Sequence, residues 1–185
     1  TLTSATDTKE YDGTPLTNSE VTVSGDGFAT GEGATYNVTG TRTLVGEANN
    51  TFTYTLNAGT DANNYTITQE EGKLTVTDRT AKYEITVEAN SDVVLYDGSE
   101  HTVSGFKTLT FTENGQTYTV SGLSASVTKT DANETGYPVE VTGTAVVKDA
   151  DGHDVTSQFI VKTTDGKLEI KKREVTLTSA TDTKE

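Results

Sequence analysis

The sequence predicts an all-β protein built from two tandem antiparallel β-sandwich modules. Apolar residues alternate with polar ones along many short segments, Asp-Gly and Asn-Gly pairs separate these segments, and no segment shows the helical period of about 3.6 residues. Alternation indicates strands with one buried and one solvated face. A β-grasp fold is the alternative. It requires a helix, and the least strand-like stretch, residues 130–137, is short and contains Gly136.

The predicted strands follow one another along the chain, each identified by its alternating apolar residues. In the first module these are Val21 and Val23, Tyr36 and Val38, Phe52, Tyr54 and Leu56, Tyr65 and Ile67, and Leu74 and Val76. In the second they are Tyr83, Ile85 and Val87, Leu109 and Phe111, Tyr118 and Val120, Leu123 and Val127, Val139 and Val141, Ala145 and Val147, Phe159 and Val161, and Leu168 and Ile170. The turn signals between them are Asp12-Gly13, Gly25-Asp26-Gly27, Asn114-Gly115, Asp151-Gly152 and Asp165-Gly166.

Repetition occurs at two levels. Residues 1–10 and 176–185 are identical, which is typical of one period of a tandem array followed by the start of the next. Within the period, the Tyr-Asp-Gly triplet at residues 11–13 recurs at 96–98, and the Gly-Lys-Leu triplet at 72–74 recurs at 166–168.

These repeats predict three parts of the chain: a first β module at residues 1–79, a second at 80–173, and the opening strand of a next copy at 174–185. The connector at residues 77–81 is short and lacks Gly, so we expect the modules to sit end to end with limited bending. Because the sequence has no Met, we also expect it to be an interior segment of a longer protein. We expect the 174–185 tail to stay disordered or to join a sheet edge of a neighbouring molecule.

Composition narrows the class of partner. The net charge is −14, which disfavours binding to nucleic acid or to anionic membranes, and we interpret it as a device for solubility. The chain has no Cys, so cohesion must come without disulfides. No apolar run reaches the roughly 20 residues that span a bilayer.

Four segments in order, residues 9–14, 50–54, 61–67 and 72–76, resemble the YDG/MBG-type repeat modules of large bacterial surface adhesins. In the second module the resemblance rests on residues 96–98, 154–159 and 166–170, although Val94 stands where the first module has Lys9. The resemblance implies Ig-like modules in series on an extracellular protein at the surface of a bacterium. We expect that bacterium to be Gram-positive. It carries no catalytic residues.

Several clusters suggest chemistry, and each has a simpler structural interpretation. The acidic run at residues 149–154 resembles a calcium loop, but position twelve is Ile160 and the run is better explained as a turn. His101 and His153 lack companions for a zinc site. A Lys-Asn isopeptide would involve Lys9 with Asn63 or Asn64, or Lys82 with a late Asn; solvated lysines are the ordinary interpretation.

The Tyr-Asp-Gly triplets of residues 11–13 and 96–98 are interpreted as structural corners, with a ligand-binding role for Tyr11 or Tyr96 as the alternative. We therefore assign no catalytic, cofactor-binding or metal-binding residue and expect no cofactor.

The predicted function is a non-enzymatic tandem-repeat stalk or adhesion module that acts as a spacer or as multivalent display. Its expected partners are neighbouring repeat copies and a host glycoprotein or glycan. Two alternatives are a dedicated host-ligand module that binds mucin glycan or immunoglobulin, and an accessory module that tethers a surface enzyme.

Overall fold

The computed structural model describes residues 1–184, and within them the chain is all-β, as predicted. It has seventeen strands and two short 3₁₀ helices, Ala62–Asn64 and Thr156–Gln158. These residues contain no α-helix, so they lack the helix that the β-grasp alternative requires. Each described sheet takes its strands from one half of the chain.

We call β1–β8 the first half and β9–β17 the second half. The first half contains β1 (Leu2–Ser4), β2 (Asp7–Glu10), β3 (Val21–Val23), β4 (Ala34–Val38), β5 (Gly46–Asn49), β6 (Phe52–Leu56), β7 (Gln69–Glu70) and β8 (Lys73–Thr77). The second contains β9 (Tyr83–Glu88), β10 (Asp92–Leu95), β11 (His101–Ser104), β12 (Thr110–Glu113), β13 (Gln116–Lys129), β14 (Asn133–Val139), β15 (Val141–Lys148), β16 (Phe159–Thr164) and β17 (Gly166–Lys171).

The expectation of purely antiparallel sheets is wrong, because the first and last strands of each half pair in parallel. In the first half β1 pairs with β7 and β2 with β8; in the second half β9 pairs with β16 and β10 with β17. The other ladders are antiparallel, for example β4 with β6 and β13 with β15. A parallel pair means that the chain leaves each half in the direction in which it entered.

In each half the first strand (β1 then β2, or β9 then β10) and the last strand (β7 then β8, or β16 then β17) are interrupted where they pass from one sheet to another. A glycine lies at this interruption of each last strand. A Cβ on Gly72 would lie 2.3 Å from the Ala5 carbonyl oxygen, and one on Gly166 would lie 2.0 Å from that of Asn90. The next backbone N–H donates to a hydroxyl on the first strand, from Lys73 to Thr6 and from Lys167 to Ser91. This close backbone approach explains the repeated Gly-Lys-Leu sequence.

The same crossing corrects the predicted hairpin at Asp165-Gly166. Asp165 alone connects β16 to β17, which begins at Gly166, and the two strands run on in one direction. β16 is parallel to β9 and β17 is parallel to β10. The carboxylate of Asp165 accepts a hydrogen bond from the backbone N–H of Val141 instead, at 2.8 Å. By contrast, Asn114-Gly115 forms the predicted two-residue hairpin, with positive φ at both positions.

The structure differs from the predicted strands at several further places. Residues 65–68, predicted as a strand from Tyr65 and Ile67, form no strand, since the Thr68 carbonyl oxygen accepts from the Leu2 N–H but residues 65–67 join no ladder in the described chain. Residues 133–137 belong to β14 despite their weak strand character, since β17 pairs with them. The sequence pattern also missed β2, β5, β7, β10 and β11, whose alternation is weak.

Residues 172–184 form no strand, although residues 176–184 repeat the sequence of 1–9. Leu2 is 2% exposed, whereas the matching Leu177 is 92% exposed and Val175 is 75% exposed. The predicted opening strand at 174–185 is therefore unpaired over its described part, and Glu185 lies outside the described residues.

The buried apolar residues form two clusters. The larger one crosses between the halves; its buried members are Tyr11, Leu16, Leu74, Val76, Ile85, Val87, Tyr118, Val120, Val147, Val155 and Phe159. The smaller lies in the second half and consists of Ala89, Val103, Ala125, Val139, Leu168 and Ile170. The two halves are thus in apolar contact as well as covalently joined.

A buried polar network fixes the strand crossing of the first half. The Asn50 side-chain amide, fully buried, donates to the carbonyl oxygens of Ala5 and Asn18 at 3.0 and 2.9 Å. The Ser4 hydroxyl donates to the Asn50 carbonyl oxygen and accepts from the Gly72 N–H. These bonds pair the Asn50 amide N–H groups and the Ser4 hydroxyl and so favour this arrangement of the crossing, while the Asn50 Oδ1 atom is buried without a partner among the described residues.

We predict that Gly72→Ala and Gly166→Ala each lower the free energy of unfolding by about 2–3 kcal/mol, because the added methyl meets a backbone carbonyl that cannot rotate away. Denaturant unfolding measures the effect. Gly33→Ala is the matched control, since its methyl would meet only the end of the Asn57 side chain. Equal stability of all three variants would contradict the crossing geometry.

We predict that Phe52→Ala lowers the free energy of unfolding by about 3–5 kcal/mol. Phe52 is 3% exposed and packs edge to face on Tyr36, with the ring centroids 6.4 Å apart. Truncation of Phe52 therefore leaves a cavity. Val175→Ala, on an exposed side chain, should change stability by less than about 0.5 kcal/mol. A Phe52→Ala midpoint close to that of Val175→Ala would show that the first half has no packed core at this position.

Candidate functional site

The principal site is the corner formed by residues 11–14, which joins the first half to the second. The Tyr11 N–H donates to the Thr77 carbonyl oxygen at 2.9 Å, so the corner continues the β2–β8 ladder. The Asp12 carboxylate accepts from the Thr14 N–H at 2.9 Å, and Gly13 between them has φ +79°. The chain therefore makes the side-chain-capped turn that the structural interpretation of this triplet predicted.

Lys9 contributes to this corner and is not a solvated lysine. Its Nζ lies 2.7 Å from each of three oxygens: the carboxylate of Asp12, the carbonyl of Thr14 and the hydroxyl of Thr14. Partial burial raises the pKa of Asp12, but the hydrogen bonds from Lys9 and Thr14 outweigh it and hold that pKa below its usual value. The corner is therefore held by an ionised carboxylate.

The Tyr11 side chain is the main apolar contact between the corner and the second half. Tyr11 is 1% exposed, and its hydroxyl oxygen lies 3.4 Å from that of Tyr118, which is fully buried. Tyr118 packs edge to face on Phe159 with ring centroids 4.8 Å apart. Burial, followed by the contact with Tyr118, raises the pKa of Tyr11, so its phenol stays protonated.

The connector between the halves is bound on both sides. One Arg79 guanidinium nitrogen donates to the Tyr11 carbonyl oxygen at 2.9 Å and to the Tyr83 hydroxyl at 3.1 Å, and the group lies 3.9 Å above the Tyr83 ring. The Arg79 N–H donates to the side-chain oxygen of Gln158, a 1% exposed residue whose amide donates to Asp78. A connector with these bonds is fixed in place.

The second half carries the same corner at residues 96–99 with one difference. The Tyr96 N–H donates to the Lys171 carbonyl oxygen and Asp97 accepts from the Ser99 N–H, which repeats the first corner. A ring nitrogen of His101, 2.9 Å from the Asp97 carboxylate, takes the place that Lys9 Nζ has beside Asp12. Tyr96 is 37% exposed, whereas Tyr11 is buried, because no second set of sheets covers it in the described chain.

The acidic run at residues 149–154 forms a turn, as the simpler interpretation predicted. The Asp149 carboxylate accepts from the N–H groups of Asp151 and His153, and its other oxygen lies 3.0 Å from the His153 ring nitrogen. Gly152 has φ +86° and its N–H donates to the Asp149 carbonyl oxygen. The carboxylate of Asp149 thus closes the turn.

The structure does not bring together the residues proposed for an isopeptide. Lys9 is bound to Asp12 and Thr14, while the Asn63 side-chain amide donates to Asp61 at 2.9 Å. Lys82 is exposed directly after the connector. No helix among the described residues is long and apolar enough to cross a membrane.

Comparison with protein-family models, with curated proteins and with solved structures gives no match.

The sequence identified the corner through its repeated triplet but missed its partners. Tyr118 and Phe159 were recognised only as inward strand positions, and Arg79 only as part of a short connector. The sequence around a Tyr that is buried against another module has no pattern that marks this contact. The only feature of the sequence that indicated it was the aromatic content of these strands.

We predict that Tyr11→Ala lowers the free energy of unfolding by about 3–5 kcal/mol, whereas Tyr96→Ala at the equivalent corner costs less than about 1 kcal/mol. The two residues make the same backbone bonds and differ in what covers the ring. Denaturant unfolding of both variants gives the comparison. Equal costs would mean that the covering by the second half adds nothing.

We predict that stability falls below about pH 4, the range in which an unfolded Asp takes up its proton. The folded pKa of Asp12 is lowered, so its contribution is fully present above the unfolded pKa and is lost as the pH falls through the folded one. Asp12→Asn should lower stability at pH 7 and flatten the acid limb. An unchanged acid limb in Asp12→Asn would show that this carboxylate does not stabilise the fold.

Proposed function

We propose that this chain is a non-catalytic stalk module of a bacterial cell-surface protein, which acts as a spacer or as multivalent display. In this proposal the halves are Ig-like sandwiches arranged end to end, in the manner of the adhesin repeats that the sequence resembles. The observation that carries the proposal is the junction, where Tyr11 is buried against the second half and Arg79 binds both sides. A spacer needs such fixed joints to keep its length.

The direction of the chain supports this proposal. Since the first and last strands of each half are parallel, the chain enters at one end and leaves at the other. Units of this kind add length with every copy. The net charge of −14 makes neighbouring copies repel one another, which favours extension and solubility.

We predict a small-angle scattering profile of an elongated particle for the intact chain, because the bound connector limits bending. Arg79→Ala removes the guanidinium bonds to both halves and should broaden the distribution of interatomic distances. Lys82→Ala, on the exposed residue directly after the connector, is the control and should leave the profile unchanged. A compact, side-by-side pair in the unmodified chain would contradict the stalk.

The same chain can be screened against mucin glycans, immunoglobulins and other host glycoproteins. A pure spacer binds none of them. Saturable binding by the single chain would favour the dedicated ligand module, and binding that emerges only when several copies are linked would favour multivalent display.

A further inference from the structure

The tip of the hairpin between β12 and β13 touches the first half. Asn114 lies at this tip, and its side-chain amide donates to the Asp12 carbonyl oxygen at 3.0 Å. A Cβ on Gly13 would lie 2.3 Å from the Tyr118 hydroxyl oxygen and 2.8 Å from Cγ of Gln116, so the strand after the tip also lies against the corner. The position of the tip and that of the corner are therefore coupled.

Asn114 has the features of a residue that loses its side-chain amide spontaneously. It is the one Asn of this sequence that a Gly follows, and a Gly has no side chain to shield its backbone nitrogen, the nucleophile of that reaction. Asn114 is exposed, so water reaches it. The φ angles of +48° at Asn114 and +74° at Gly115 are those that a two-residue hairpin needs, so the fold itself favours the reactive Asn-Gly pair at this position.

We propose that Asn114 is a site of spontaneous deamidation whose products loosen the joint between the halves. The Gly115 backbone nitrogen gives up its proton and attacks Cγ of Asn114. The new C–N bond closes a succinimide ring, and the side-chain nitrogen leaves as ammonia with that proton. Water then opens the ring at either carbonyl and leaves aspartate or isoaspartate at position 114. Water is the sole co-reactant, so the reaction needs no enzyme.

Both products lose the bond between the hairpin and the corner. An ionised aspartate is an acceptor only, so it cannot donate to the Asp12 carbonyl oxygen, and it adds a negative charge there to a chain of net charge −14. Isoaspartate also carries the main chain through the side-chain carbon, which lengthens the tip and displaces the Glu113–Gln116 pair that closes the hairpin. The displacement extends along β13 to Tyr118, whose hydroxyl oxygen lies 3.4 Å from that of Tyr11.

The closed joint protects the site that would loosen it. The hydrogen bond to Asp12 and the left-handed backbone hold the Asn114 side chain in one position, so attack by the Gly115 nitrogen requires local opening. Once the amide is lost, this bond cannot form again. Deamidation therefore makes a transient opening of the joint permanent. The inference rests on the contact between the halves and stands whether or not the chain acts as a stalk.

Incubation of the whole chain in mildly alkaline buffer tests the reaction. We expect intact mass to rise by the exchange of an amide for an acid, and peptide mapping to place aspartate and isoaspartate at position 114. Asn133, which Glu134 follows, is an internal control and should stay unmodified over the same period. An unmodified Asn114, or equal modification of Asn133, would overturn the proposal.

The rate of deamidation in two variants tests the protection by the joint. Arg79→Ala removes guanidinium bonds to both halves and should speed the reaction at Asn114 by about tenfold, the effect of losing one hydrogen bond from a charged group. Lys82→Ala, on the exposed residue after the connector, should leave the rate unchanged. Equal rates in these two variants would show that the joint does not protect Asn114.

Asn114→Asp reproduces the aspartate product and tests its effect on the joint. Asp-Gly supports the same hairpin, so this variant should fold. Asn133→Asp is the matched control, because it adds the same charge on β14 and keeps the side-chain oxygen that accepts from the Thr135 N–H. We expect amide hydrogen exchange in residues 11–14 to be about threefold to tenfold faster in Asn114→Asp than in the control. Equal exchange would show that deamidation leaves the joint intact and would overturn the proposal.

Discussion

The parallel pairing of first and last strands is the constraint on which the rest of this structure depends. It makes the chain traverse each half in one direction, so the end of one half lies where the next can begin. It also brings two strands together where both change sheets, which requires the glycines at positions 72 and 166 and the hydroxyls of Thr6 and Ser91. The repeated Gly-Lys-Leu sequence reflects the requirements of this crossing.

The Tyr-Asp-Gly corner lies where the chain leaves that crossing, and its use differs between the two halves. In the first, Tyr11 enters a core shared with the second half, while Lys9 and Asp12 hold the backbone. In the second, the same backbone turn leaves Tyr96 partly exposed, with a His101 ring nitrogen beside the Asp97 carboxylate. The same local structure is thus a buried joint in the first half and a partly exposed corner in the second half of the described chain.

The sequence predicted the all-β class and most strands because alternation is a local property of a half-buried strand. It missed β5, whose Gly-Glu-Ala-Asn sequence carries almost no pattern, and it predicted a strand at Tyr65 and Ile67 that lacks a partner. The parallel pairs and the burial of Tyr11 under Tyr118 could not be predicted, because both depend on residues far apart in the chain. The repeated Tyr-Asp-Gly triplet identified the corner in the sequence, whereas the residues that the corner contacts are seen only in the structure.

Amide hydrogen exchange at the two corners tests the central claim, that the halves form a packed joint, most directly. The N–H groups of Tyr11 and Tyr96 each donate to the last strand of their own half at 2.9 Å, so they differ mainly in the covering by a second unit. The account predicts markedly slower exchange at Tyr11, with protection that approaches that of the buried core strands. Equal exchange at the two amides would contradict it and would show that the halves are joined by the connector alone.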